Sequence, residues 1–481
     1  MSLKALGSIV CAAAGVLLGT AVAVATGATA PTGATAPAAA QDSGITAPLV
    51  QIKDRRTGDV LLRLHPRTLR PVGRPIRTFR SGGWLVFSPD GRTIAYTDAS
   101  RGLSRIQFVD TVRWRSLGVA RLGRQGILGA GWLSDDRLLA FSTWGPGPRR
   151  LLVVDSSRRK VVARRTFSGF VMNSLAVPGA FVLMLEPRHG IGPVRILIVE
   201  PAGGVRTIQL DGIRAGGADR EPHGLDLNPG LTADPDGGRL YVVAARGLVV
   251  AEVELASGAV SYHTLDASAA SAASAVTAAS AASAATAASA ASPASAASAA
   301  TADVDARAAT AASAATAATG DVDARAAKGN IDVWSRAAAW IGDGRFAVTG
   351  NHYPPVRGRQ APSGPAPFGI RIVDTSDWSI DALDSRPDLM QVVGGTVLAV
   401  GTRWFGDPPR SESTGLLAFD GAGHRLLARF RGKDVAIVAG RGDLAYVWVR
   451  PTRTMHVIDV RDGHTVNEVR SRRHLPFLLT P

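Results

Sequence analysis

Residues 84–120 read WLVFSPDGRTIAYTDASRGLSRIQFVDTVRWRSLGVA. A short apolar stretch meets a tight SPDG turn. A second apolar stretch follows, then a looser link, a third stretch closed by Asp110, another tight turn and a last apolar stretch. Short runs of β-branched, aliphatic and aromatic residues bounded by Asp, Gly and Pro predict strands. A lone four-stranded sheet cannot bury both of its faces, so such units have to stack.

The unit recurs. WLSDDRLLAFST (132–143) with RRLLVVDSSRRKVVARR (149–165), DPDGGRLYVVA (234–244), WIGDGRFAVTG (340–350) and GRGDLAYVWV (440–449) repeat its parts, and VPGAFVLML (177–185) begins a weaker copy. The acidic residue closing the third strand falls at Asp110, Asp155, Glu200, Glu254, Asp374, Asp420 and Asp459. Neighbours are 39 to 54 residues apart except across one insert. Four strands in about 40–45 residues is the period of a propeller blade. The expected fold is all-β, a β-propeller of four-stranded blades. Eight blades are slightly favoured over seven. In the eight-blade reading VQIKDRRTGDVLLRLHPRTLRPVGRPI (50–76) and HLPFLLTP (474–481) supply the N- and C-terminal strands that close the ring.

FSPDGRTIAY (87–96) and MHVIDVRDGHTV (455–466) carry a resemblance to WD-repeat-like and YVTN-type propellers of exported bacterial proteins. LHPRTLRPVG (64–73) followed by FSPDGRTIAY resembles a further family of exported propellers from GC-rich bacteria. These resemblances imply the fold and supply no activity.

Composition is consistent with this. The chain has 481 residues, 46% of them hydrophobic and 19% charged, with 53 Gly and 28 Pro. A core can form, and turns outnumber long helices. The single cysteine, Cys11, excludes a disulfide framework and a cysteine zinc cluster. Lys and Arg number 54 against 39 Asp and Glu, giving +15, yet only five of the 54 are Lys. Codon bias toward Arg and attraction to an anionic partner both produce that balance. No run of five basic residues occurs, so no nucleic-acid partner is expected.

The N-terminus divides the chain further. Lys4 precedes an apolar run from Ala5 to Ala25, and small residues follow. This reads as a signal peptide and linker over 1–40, with cleavage after Ala30 or Ala40 favoured over retention as a membrane anchor. The expected location is secreted or cell-surface, and the expected state a monomer. Residues 41–266 and 329–481 form the two parts of the propeller. Between them, residues 267–328 are almost wholly Ala, Ser and Thr, with DVDARAA twice. The AAS/AAT period of three drifts around a helix and builds no fixed face, so a solvated helix and a disordered linker both fit.

Propeller geometry puts first-to-second and third-to-fourth strand turns on one face. Those turns are tight here. The second-to-third links and inter-blade connections lie on the other face, and they are long: STWGPGPRR (142–150), EPRHGIGP (186–193), DGIRAGGADREPHGLDLNPG (211–230), NHYPPVRGRQAPSGPAPF (351–368) and TRWFGDPPRSESTG (402–415). Long loops on a rigid scaffold carry function, and aromatic and Arg side chains dominate binding hot spots. The candidate binding residues are Trp144, His189, Arg220, His223, Tyr353, Arg357, Trp404 and Phe405, with Arg149, His352 and Arg359 on the same loops.

HExxH, GxSxG, Walker and GxGxxG patterns are absent, so no catalytic residue, metal or cofactor is expected. Asp226, Asn228, Asp234 and Asp236 are oxygen-rich, but the last two belong to a strand turn. Trp84, Trp132 and Trp340 recur on first strands and read as packing between blades. The expected function is a non-catalytic exported binding module that presents its long-loop face to a protein, a glycan or an anionic cell-envelope polymer. The alternative is an enzyme, lactonase-like or quinoprotein-like, with its site in the central channel.

Overall fold

The computed structural model describes residues 48–53, 59–79, 85–98, 104–123, 129–142, 149–187, 189–217, 224–265, 331–353, 366–405, 410–470 and 477–479. The expected signal peptide and the Ala/Ser/Thr insert lie outside these residues. All regular structure among them is β-strand.

Strands pair in antiparallel runs of four. Five sheets are built from consecutive strands, spanning residues 85–123, 129–167, 230–264, 389–429 and 435–470. A sixth joins the two ends of the chain: Ile76–Arg77, Val60–Leu64, Leu49–Lys53 and Phe477–Leu479 lie side by side in that order. Val50, Gln51 and Ile52 pair with Leu479, Leu478 and Phe477. The Tyr446 phenol donates to the Pro66 carbonyl at 3.1 Å and the Tyr96 phenol to Asp59 at 2.8 Å, so the sheets on either side both grip the N-terminal strands.

The sequence leads one to expect eight or seven blades, each its own sheet. The structure has six separate four-stranded sheets, and its other strands merge into one ten-stranded sheet. The cause is Gly224–Asn228. This strand pairs antiparallel with the end of Val205–Gly217 and parallel with the start of Ile331–Gly342, and so stitches the run over 170–217 to the run over 331–384. Every other strand pair among the described residues is antiparallel. Residues 211–230, read above as an irregular connection, therefore contribute the end of one strand and all of another.

Side chains alternate across each strand, so each sheet buries both faces against neighbours. Leu61, Tyr96 and Val109 pack the terminal sheet on the 85–123 sheet, and Phe108 with Trp132 packs that one on the next. Phe141 with Phe181, then Ile196 with Val242, Tyr241 with Phe346, Ile372 with Phe419, and Leu416 with Val447 continue the series. Tyr446 with Leu49 returns it to the terminal sheet. The layers form a closed ring, which is a β-propeller. Trp132 and Trp340 pack between sheets as expected; Trp84 lies outside the described residues. The seams are tight: a Cβ on Gly131 would lie 1.9 Å from the Phe181 ring.

The repeating acids turn the chain. Asp110 accepts from the Val112 and Arg113 amides at 3.0 and 2.8 Å, Asp155 from Arg158 at 2.8 Å, and Asp420 from Ala422 and His424 at 2.9 and 2.8 Å. Asp374 and Asp459 accept from Ser376 and Arg461 in the same way. An aspartate that accepts from amides two or three residues on is a side-chain mimic of a turn. The Ser376 hydroxyl and Arg345 hold the Asp374 carboxyl at about 2, and Arg461 holds Asp459 at about 2.

A candidate binding site at an arginine-rich seam

The seam between the 230–264 sheet and the 331–384 run differs from the others at its loop end. Asp332, Trp334 and Arg336 are alternate residues of Ile331–Gly342 and share one face. The register sets Trp334 opposite His352 and Arg336 opposite Gly350.

The outer layer is a stacked plate. The Trp334 and His352 rings lie 3.8 Å apart at 21°. Asp332 holds both: the Trp334 indole N–H donates to Oδ2 at 3.0 Å, and His352 Nε2 bonds to Oδ1. Leu227 and Ala245 bury the Trp334 ring, and the Arg246 guanidinium stands 5.7 Å from its centroid.

The inner layer is cationic. Arg336 is only 3% exposed, and its guanidinium carbon lies 3.9 Å from the Phe368 centroid. The Arg371 guanidinium lies 4.2 Å from the same ring. Arg336 Nη1 donates to the Ser335 carbonyl at 3.0 Å, whereas its Nε and Nη2 meet no acceptor. Burial, and then the positive charge of Arg371, pull Arg336 down to about 9. Gly350 makes the close approach feasible, since a Cβ there would come within 2.2 Å of the Ser335 carbonyl.

The opposite face of the same strands is also polar where a propeller seam is normally apolar. Thr349 and Asn351 are fully buried. Thr349 Oγ1 and Asn351 Oδ1 have no hydrogen-bond partner, and Asn351 Nδ2 donates to the Tyr353 hydroxyl at 3.3 Å. Buried polar atoms are ordinarily satisfied by protein or by ordered water, so this face has hydrogen-bonding capacity to spare.

Of the residues expected to bind, Tyr353 sits half-buried at the end of this cluster, one residue past His352. His189 is exposed on a loop whose Ile191 packs against Leu227 and Trp334, so it borders the same seam. Trp404 and Phe405 end another strand, paired with Ser411 and Arg410; their side chains lie outside the described residues. Trp144, Arg220, His223, Arg357 and Arg359 also lie outside them. Arg149 is corrected: it begins a strand, is buried, and covers the Phe170 ring at 4.5 Å in a different seam. Asp226 and Asn228 lie on the stitching strand, while Asp234 serves its own turn, accepting from the Gly238 and Arg239 amides at 2.9 and 3.0 Å.

Sequence reasoning missed Asp332, Trp334, Arg336, Phe368 and Arg371. A signal existed: DVWSR (332–336) puts an acid, an aromatic and a base on one face of a strand whose next inward residues are apolar. One further group gathers metal-ligand types: Asp459, Asp462 and His464 have ligand atoms within 4.8 Å of one another. Arg461 already neutralises that corner, bonding both oxygens of Asp459 at 2.9 and 2.6 Å.

No protein-family model matches this sequence, and no curated protein matches it. Among solved structures it is similar to the dihydro-heme d1 dehydrogenase NirN in complex with DHE, with 14% identity, 90% of this chain and 73% of that one covered, and a TM-score of 0.49. It is similar to AztD from Citrobacter koseri at 11% identity, covering 90% and 97%, with a TM-score of 0.45. The β-propeller domain of the Trilobed protease from Pyrococcus furiosus follows at 12% identity, 81% and 98% coverage, and a TM-score of 0.38. The propeller assignment rests on the strand pairing described above.

Proposed function

We propose that the protein is a non-catalytic, exported binding module. It holds an anionic cell-envelope polymer at the loop end of the seam between the 230–264 sheet and the 331–384 run. The observation that carries this reading is the gathering of Arg246, Arg336 and Arg371 around Trp334 and Phe368, on a chain of net charge +15. Arg presents a planar fork of donors and stacks on aromatic rings, which suits carboxylate and phosphate recognition at a partly dry surface. Export is read from the apolar N-terminal run. We also read the two four-strand runs of the ten-stranded sheet as two blades, making eight around the ring, because each run packs its own hydrophobic layer on either side.

The test is co-sedimentation of the chain, lacking residues 1–40, with isolated cell envelope from the producing organism, from low salt to about 0.5 M, where screening removes long-range attraction. Wild type should pellet with the envelope. Arg246→Ala and His352→Ala, which remove the cation and the ring set against Trp334, should lose pelleting while folding as wild type does. Retained pelleting in both variants sinks the assignment of the face. Pelleting that vanishes with salt equally in every variant reduces the interaction to bulk charge.

A further inference from the structure

The orphaned atoms of Arg336 are a matched pair. Nε–H and one N–H of Nη2 point the same way along one edge of a guanidinium, and that edge engages two oxygens of a carboxylate or phosphate through parallel hydrogen bonds. The third nitrogen, Nη1, is spent on the Ser335 carbonyl at 3.0 Å. So the edge that lacks acceptors is the one suited to a two-oxygen anion.

Its surroundings favour a negative guest. Arg371 adds a second positive charge over the same Phe368 ring, at 4.2 Å. Burial makes an uncompensated charge costly, so an anion arriving here would relieve that penalty. Asp332, Trp334 and Arg336 succeed one another along one strand face, so the Trp334–His352 plate stands about 7 Å outward of Arg336. Asp332 is already engaged by Trp334 and His352.

We propose that Arg336, beside Arg371 and Phe368, is an internal binding site for one oxyanion of the carboxylate or phosphate class, held two-pronged on the Nε–Nη2 edge. The identity of the natural guest as a group on an anionic partner rests on the binding role proposed above; the site itself rests on Arg336.

The experiment uses the same chain without residues 1–40, titrated with sodium phosphate and separately with sodium acetate. Sodium chloride at matched ionic strength is the control. Melting temperature and the Arg336 Nε–H resonance are read together. Wild type should show a saturable rise in melting temperature over chloride, following mass action, with a shift of that resonance. Response to phosphate alone assigns a phosphoryl group; response to acetate assigns a carboxylate. Arg336→Met should abolish the response. Arg336→Lys keeps a charge without the paired edge and should weaken it at least tenfold, which keeps the test alive if the Met variant does not fold. Superimposed curves for chloride and both anions in wild type overturn the site, as does a full response in Arg336→Lys. Envelope sedimentation lost while the anion response persists removes the polymer and leaves the site; the reverse removes the site and leaves the polymer.

Discussion

The 230–264 sheet has two faces, and they do different work. Toward the 170–217 run, Leu240, Val242, Ala251 and Val253 meet Val182, Met184, Val194, Ile196 and Ile198. Toward the 331–384 run, Tyr241, Val243 and Val250 meet Trp340, Phe346, Phe368 and Trp378. Tyr241 alone stacks on Trp340 at 5.7 Å and on Phe346 at 5.3 Å. LYVV in the sequence looks uniformly apolar, yet alternation sends its residues into an aliphatic seam and an aromatic one. An aliphatic seam can only exclude water. An aromatic ring also offers a negative face to a cation, so buried arginines can lodge there and reach donors into the seam.

The largest test of that contrast moves the cation. Ile196→Arg places a guanidinium in the aliphatic seam, where no ring receives it. Loss of cooperative unfolding is expected, a destabilisation of more than about 4 kcal/mol for an unpaired buried charge. A variant that melts like wild type in calorimetry would show that the aromatic seam is not special.

Next in size is Phe346→Ala, which removes a fully buried ring stacked on Tyr241. Denaturant titration should show a loss of about 3–5 kcal/mol, as for other buried aromatic truncations. A loss under about 1 kcal/mol would mean that the aromatic seam is loosely packed.

Arg336→Met should act in the opposite direction. Replacing buried charge with apolar volume is often stabilising, by about 1–4 kcal/mol. In buffer free of phosphate and carboxylates the variant should therefore unfold at higher denaturant than wild type. A clear destabilisation would show that the charge is compensated in place.

The smallest effect lies at the tight-turn end. Asp374 and Asp459 are held at about 2, below the ordinary 3.8, so each contributes stability that is complete above about pH 4. That contribution fades as pH falls toward 2, when the folded carboxylates protonate. Asp374→Asn with Asp459→Asn should flatten the acid limb of a stability–pH curve between about pH 4 and 2 and leave the seam unaffected. An unchanged limb would place the acid-sensitive groups elsewhere.

The four-strand unit, its turns and the ring closure were legible because each is local chemistry repeated. SPDG and GDG need Asp and Gly for backbone reasons, and the acids after the third strands serve amides two to four residues on. The strands Leu49–Lys53 and Phe477–Leu479 were legible as unpaired leftovers at either end of a repeat. The stitching strand was not. Gly224–Asn228 pairs with Ile331–Ser335 across the whole insert, and nothing in five residues of GLDLN names a partner so far away. Arg149 misled for a related reason, because a strand's start and a loop's end look alike in sequence.

Sequence by itself determined the repeat, the all-β class, the side-chain caps and the two-residue alternation, since these depend on neighbours within a few residues. The tertiary structure alone decided that Trp334 would lie on His352, that Arg336 would be buried beside Arg371 over Phe368, and that two four-strand runs would share one sheet. Those outcomes depend on register and on which sheet face meets which, and burial sets the energy of a charge only after the chain has chosen its neighbours.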